Sequence, residues 1–253
     1  MKALPFLVSA LLILAGLQLA STLLGPQIAP PPLESLYALG RLALSGELFR
    51  ELGITVLRAL AGVLLANVIG LILGMASGLI PGAMRLLAPL VAALQSCPPI
   101  VWISLVMVWA GTGSTVPVAT VFAATVPFVF SATAQGVMAL DRRLLSMSAL
   151  YDVPLKKRLR LLVGPGILSY WLAAFSAILA SGWKAAAMAE FLGSHSGVGA
   201  RIFWSYRRLD MADLNAWALT LIILGVLLEC GLIAPLRRRT SAMSRKGAEY
   251  ATA

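Results

Sequence analysis

Apolar runs close to twenty residues long recur along this chain, and that feature leaves few folds open. A helix rises about 1.5 Å per residue, so about twenty apolar residues cross the roughly 30 Å hydrocarbon core of a bilayer. In lipid every backbone N–H and C=O needs a partner inside the protein, and a helix supplies its own. Six runs fit: Leu4–Leu24, Ile54–Ile80, Leu86–Ala110, Val116–Leu140, Gly166–Ala189 and Asn215–Leu236. Of the 253 residues, 60% are hydrophobic and only 12% charged, about half the charged share of a soluble domain. The expected fold is all-α, a multi-pass membrane helical bundle of about six transmembrane helices forming a single domain over residues 1–253. Met1–Lys2 and the apolar run after it have the charge and apolarity of a secretory leader. The run is longer than a leader's apolar core and more spans follow, so a retained first helix is expected.

The basic residues orient this bundle. Lys2, Arg85, Arg142, Arg143, Lys156, Lys157, Arg158, Arg160, Arg237, Arg238, Arg239, Arg245 and Lys246 fall on the side of the termini. Arg41, Arg50, Arg201, Arg207 and Arg208 fall on the other. The positive-inside rule then places both termini, with the basic tail 237–253, in the cytoplasm. Because the charges sit in loops between spans, the net charge of +10 does not indicate nucleic acid. Cys97 and Cys230 both lie in apolar stretches and read as packed thiols.

Several local patterns add detail. Gly25–Pro32 is a proline-rich exit from the first helix. Leu33–Gly53, with Glu34, Glu47 and Glu51, reads as an outside amphipathic segment. Gly62, Ala66, Gly70, Gly74 and Gly78 repeat every four positions on one helix face, where small residues admit a close neighbour; the pattern leaves open whether that neighbour is in the chain or in a second copy. Cys97-Pro98-Pro99 interrupts the third span, because prolines remove backbone donors mid-helix. That is either a structural kink or a kinked, pore-lining helix. Pro127 poses the same question in the fourth span.

The densest charge lies between the fourth and fifth spans, over residues 141–165. Leu144, Leu145, Ala149 and Leu150 give a first short helix an apolar face. Asp152 reads as a cap and Pro154 as the first turn of a second helix. Leu155, Leu159 and Leu162 recur there at helical spacing, with Lys156, Lys157, Arg158 and Arg160 between them. Such a helix either lies against anionic lipid headgroups or docks a partner.

The stretch Ser146–Pro165 resembles the cytoplasmic "EAA" loop of binding-protein-dependent ABC transporter permeases. In that family a Glu-Ala-Ala run is followed by a Gly and then by a Pro that opens the next span. Aligned on Pro165, the family's Glu falls on Ser146 and its Gly on Asp152. "CPPIVWISLVMVWAGTG" (Cys97–Gly113) and "GWKAAAMAEFLGSHSGVGARI" (Gly182–Ile202) are similar to segments of the nitrate/sulfonate/taurine branch, as is the layout of Pro31–Gly62. The resemblance covers nearly the whole chain. It implies a permease of the bacterial inner membrane that is not itself an enzyme, works as a dimer, and receives a small anionic or sulfonate-like solute from an extracytoplasmic binding protein. It implies no cofactor on this chain, ATP being held by a separate ATPase subunit. It assigns ATPase coupling to Ser146, Ala149, Leu150, Asp152, Leu155, Lys156, Arg158, Leu159, Gly164 and Pro165.

Within the membrane, Lys184 is the most informative residue, since an ionisable group there suggests function. Pro98, Pro99, Trp102, Trp183, Lys184 and Glu190 form the expected substrate pathway. Lys184 and Glu190 lie about 120° apart around a helix, which disfavours a direct pair. Arg58 reads as a snorkelling residue and Glu229 as facing protein or the inner interface. His195, in a glycine-rich loop, reads as solvated. No metal-ligand cluster and no nucleophile–base set can be assembled, so no catalytic or metal residues are expected. The competing reading is a self-contained secondary transporter or channel for a small anion, which predicts paired broken helices.

Overall fold

The computed structural model describes residues 15–236 except positions 17, 20, 24, 26, 27 and 81, and the side chains of 142 and 149. The first expected span, Leu4–Leu24, lies mostly outside the described residues, and the tail 237–253 lies wholly outside them. The regular elements are helices, with no strand among the described residues. They are α1 (Pro32–Leu44), α2 (Glu47–Leu79), α3 (Ala83–Ser96), α4 (Pro99–Ala110), α5 (Thr115–Met138), α6 (Arg142–Leu150), α7 (Leu155–Arg158), α8 (Gly164–Gly193), α9 (Val198–Arg208) and α10 (Met211–Leu228). Among the described residues four helices are long and apolar enough to cross a membrane, and five if the bent pair α3–α4 is one span.

The small-residue stripe of α2 finds its partner inside the chain. A Cβ on Gly62, Gly70, Gly74 or Gly78 would meet Val121, Val129, Thr133 or Val137 of α5 at 2.5–2.7 Å. Every pair is offset by the same 59 positions, so α2 and α5 run parallel and in register over four helical turns. α8 closes a three-helix core against both. Gly182 sits under Val63 of α2, and Gly136 of α5 faces the backbone of Ile167. Asn67 accepts from the indole N–H of Trp171 at 2.8 Å, which satisfies both groups within an apolar layer. A second apolar cluster joins Ala38 and Leu42 of α1 to Ala216 and Trp217 of α10. An ion pair between Arg41 and Asp213 ties the same two helices.

Three expectations need correction. The second span begins at Glu47 rather than Ile54: polar Glu47, Arg50 and Glu51 lower the local hydropathy, but nothing between Gly46 and Leu79 stops a helix. At 33 residues α2 is about 50 Å long, well beyond the hydrocarbon thickness. The third span is two helices meeting at 96°. Cys97 and Pro98 each precede a proline, which pushes a residue into extended backbone, and they adopt ψ values of 120° and 144°. Two successive extended residues turn a kink into a corner. The fifth span is not preceded by a separate helix. From Leu155 to Gly193 the chain is one 39-residue helix with a π-turn over Leu159–Val163, where Gly164 N donates to Leu159 O. The wider turn lies just before Pro165, which has no N–H to give. Pro127, by contrast, is buried within an unbroken α5.

Candidate functional site

The corner between α3 and α4 opens onto the flank of α8, where Lys184 lies. This lysine is nine residues short of the end of α8 at Gly193, or about 13 Å along the axis. It lines three cavities. One of about 410 Å³ is shared with Gln95, Cys97, Pro99, Ser181 and Met188. One of about 600 Å³ is shared with Ile100, Trp183 and Phe191. The third, of about 320 Å³, is shared with Trp183 and Glu229. The Lys184 ammonium lies 5.6 Å from the centre of the Trp183 ring, a cation–π distance. Of the expected pathway residues, Pro99, Trp183 and Lys184 meet around this space, and Pro98 makes the corner itself. Trp102 lies one turn into α4, where its Nε1 is buried without a partner among the described residues.

Glu190 belongs to a different arrangement. It is fully buried, and its carboxylate accepts from Arg58 Nη1 at 2.9 Å, Thr55 Oγ1 at 2.8 Å and Gly199 N at 3.2 Å. Arg58 does not snorkel. It is 7% exposed and also donates to Ser114 Oγ, Ser196 Oγ and Ser196 O. Glu51 accepts from Gly197 N at 2.6 Å and from Arg201 and Arg50. Glu51, Thr55 and Arg58 are spaced four and three apart, so they share one face of α2. This polar clamp ties α2, the 111–114 turn and the 194–199 loop to the end of α8. Gly197 fits there at φ +98°, where a Cβ would stand 2.2 Å from Glu190 Oε1. His195 stays exposed and contacts Thr112 Oγ1 at 3.0 Å. No expectation drawn from the sequence covered the clamp, although the one-face spacing of Glu51, Thr55 and Arg58 was a readable signal.

At the opposite end of the bundle, residues 141–165 form a helix, a turn and the start of the long α8 helix. Asp141 Oδ1 accepts from Arg143 N and so begins α6. Asp152 is not a cap. It occupies the turn at φ +48°, the left-handed conformation that glycine adopts most easily. Pro154 precedes the second helix instead of lying within it. Leu150, Tyr151 and Leu155 are 81%, 73% and 64% exposed. Leu159 turns inward and packs on Val137, Val163 and Ile167. Ser146, Lys156 and Pro165 are exposed, Arg158 and Gly164 are half-buried, and the side chain of Ala149 lies outside the described residues. The turn makes a direct prediction. Asp152→Val should lower thermal stability by about 1–2 kcal/mol, because a β-branched residue resists this conformation. Asp152→Gly should stay within about 0.5 kcal/mol of wild type, relief of strain offsetting the entropy of glycine. Thermal unfolding of the purified variants checks both.

Residues 66–234 match the family described as "Binding-protein-dependent transport system inner membrane component". The chain is 31% identical to SsuC of Escherichia coli (strain K12), named for aliphatic sulfonates transport, over 74% of this chain and 72% of that one. It is 25% identical to the taurine transport system permease protein TauC of the same organism, over 86% and 81%. It is also 25% identical to a probable ABC transporter permease protein of Brucella abortus (strain 2308), over 88% and 90%. Among solved structures, an inward-facing form of the MetNI methionine ABC transporter is similar in fold, with a TM-score of 0.64, 18% identity and coverage of 78% of this chain and 95% of that one. Spans, corner helix and sequence matches agree: this chain belongs to the inner membrane components of binding-protein-dependent transport systems, the permease subunits of ABC transporters, and is not itself an enzyme.

Proposed function

We propose that this chain is the membrane subunit of an importer for a small organic anion, driven by a separate ATPase that docks on residues 141–165. The observation that carries this reading is the apolar surface of that segment. Leu150, Tyr151 and Leu155 stand out of a stretch that also exposes Lys156, Lys157 and Arg160. Those charges keep the segment out of hydrocarbon, and large apolar side chains exposed to water beside them mark a protein contact. ATP is held by the partner. By the distribution of Lys and Arg this end faces the cytoplasm, with both termini. The clamp end then faces outward, and α9, which exposes Trp204, Tyr206, Arg207 and Arg208, meets the solute-binding protein. A second copy of the chain covers α3, which has no buried residue in the single chain. The solute class is supported by Lys184 on the wall of three cavities and by relatives named for taurine and aliphatic sulfonates.

Co-expression with candidate ATPase subunits tests the reading. Wild type should co-purify with one of them, and Leu150→Asp with Leu155→Asp should reduce capture at least tenfold, a loss of the size seen when an interface anchor is removed. Leu159 is left intact because it packs inside this chain. Both side chains changed are exposed, so the melting temperature should not move. Capture unaffected by the double variant would remove the docking assignment, and no capture by folded wild type would favour a self-contained transporter.

A further inference from the structure

We propose that Lys184 and Gln95 form the point at which the passing solute is selected for negative charge. The proposal rests on the anion-importer reading and adds the residues that would discriminate. Both side chains line the 410 Å³ cavity beside the α3–α4 corner, a volume within the roughly 300–1,000 Å³ range of small-molecule sites. Lys184 supplies a positive charge to its wall, with the ammonium 5.6 Å from the centre of the Trp183 ring. Gln95, the penultimate residue of α3, makes no side-chain hydrogen bond among the described residues, so its amide is available to an oxyanion. The rest of the wall is largely apolar, with Phe128 and Met188 placed to take a short hydrocarbon tail.

The cavity carries its own reporter. Cys97 lines it and is a free thiol, while Cys230 can be removed as Cys230→Ser. A methanethiosulfonate reagent transfers its thiol group to Cys97 as a mixed disulfide and releases methanesulfinate. In phosphatidylcholine nanodiscs, the rates for the anionic sulfonatoethyl and cationic trimethylammonioethyl reagents are compared by intact mass. Going from wild type to Lys184→Gln, the anionic-to-cationic ratio should fall about tenfold, the order expected for removing one poorly screened charge nearby. Lys184→Arg should keep it. The neutral methyl reagent should react equally in all three. An unchanged ratio overturns the proposal, and so does a Cys97 that the neutral reagent cannot reach. If Lys184→Gln melts early, Ser181→Asp serves instead. It lies one turn from Lys184 on the same face, and its failure to abolish the anionic preference is equally decisive. Repeating the wild-type to Lys184→Gln comparison in phosphatidylglycerol discs separates a free solute from a lipid headgroup. An effect that survives supports a solute site, and an effect that vanishes assigns the lysine to lipid and overturns the proposal. None of these readouts involves the ATPase, so loss of charge selection is distinct from failure of the permease reading.

Discussion

Replacing Arg58 with methionine should destabilise the protein by about 3–5 kcal/mol, the usual loss when one member of a buried ion pair is removed. The size follows from what is left behind. Glu190 has no exposed surface, and its Oε1 faces the Arg58 guanidinium at 2.9 Å. Without that cation the carboxylate keeps only Thr55 and Gly199 N as donors in a site closed to water. The same substitution frees Ser114 and the carbonyl of Ser196, so the 111–114 turn loses its side-chain bond to α2 and the 194–199 loop is left with the bonds from Gly197 N to Glu51 and from Val198 N to Thr55. The companion variant separates charge from packing. Arg58→Met combined with Glu190→Leu removes both charges and should recover well over half of the loss, because a buried pair replaced by apolar side chains is often close to neutral. A double-mutant cycle on melting in detergent reads the coupling. If Arg58→Met costs less than about 1 kcal/mol, the pair is hydrated and the clamp is not a structural element.

Hydropathy found the four long apolar helices, because burial in lipid is a property of composition and needs no knowledge of the neighbours. It misplaced the start of α2, where Glu47 and Glu51 are helical but polar. The corner at Cys97-Pro98 was visible as a break; its 96° depended on two residues in succession both preceding proline. Arg58 and Glu190 were each seen, but as a snorkelling residue and a pathway residue. Their partnership joins positions 132 apart in sequence, and only the packing of α2 on α8 brings them together. Leu159 was placed with Leu155 on one face, turned toward lipid or a docked partner. The π-turn over Leu159–Val163 rotates it inward while Leu155 stays exposed, and nothing in a period of 3.6 anticipates that shift.

The stripe on α2 was legible as a packing face, and its partner was not. Four glycines at constant offset from α5 amount to a seam, which predicts a steep response to volume at one position and none at another. Gly74→Leu should cost at least the upper end of the roughly 1–3 kcal/mol typical of overpacking. A Cβ there would stand 2.8 Å from the carbonyl oxygen of Phe130 and 2.7 Å from Thr133 Cβ. A carbonyl within a helix cannot swing aside as a side chain can, so relief requires α2 and α5 to separate. Separation at Gly74 also opens the contacts at Gly70 and Gly78, because the helices are in register across all three. Gly53, on the same helix, has nothing within 4 Å of a built Cβ. Gly53→Ala should therefore raise stability, by up to about 1 kcal/mol from helix propensity alone. Melting of both variants in detergent, followed by size-exclusion, compares them directly. A Gly74→Leu protein that melts with wild type would mean that α2 does not rest on α5 at this depth, and the three-helix core described above would have to be rebuilt around another pair.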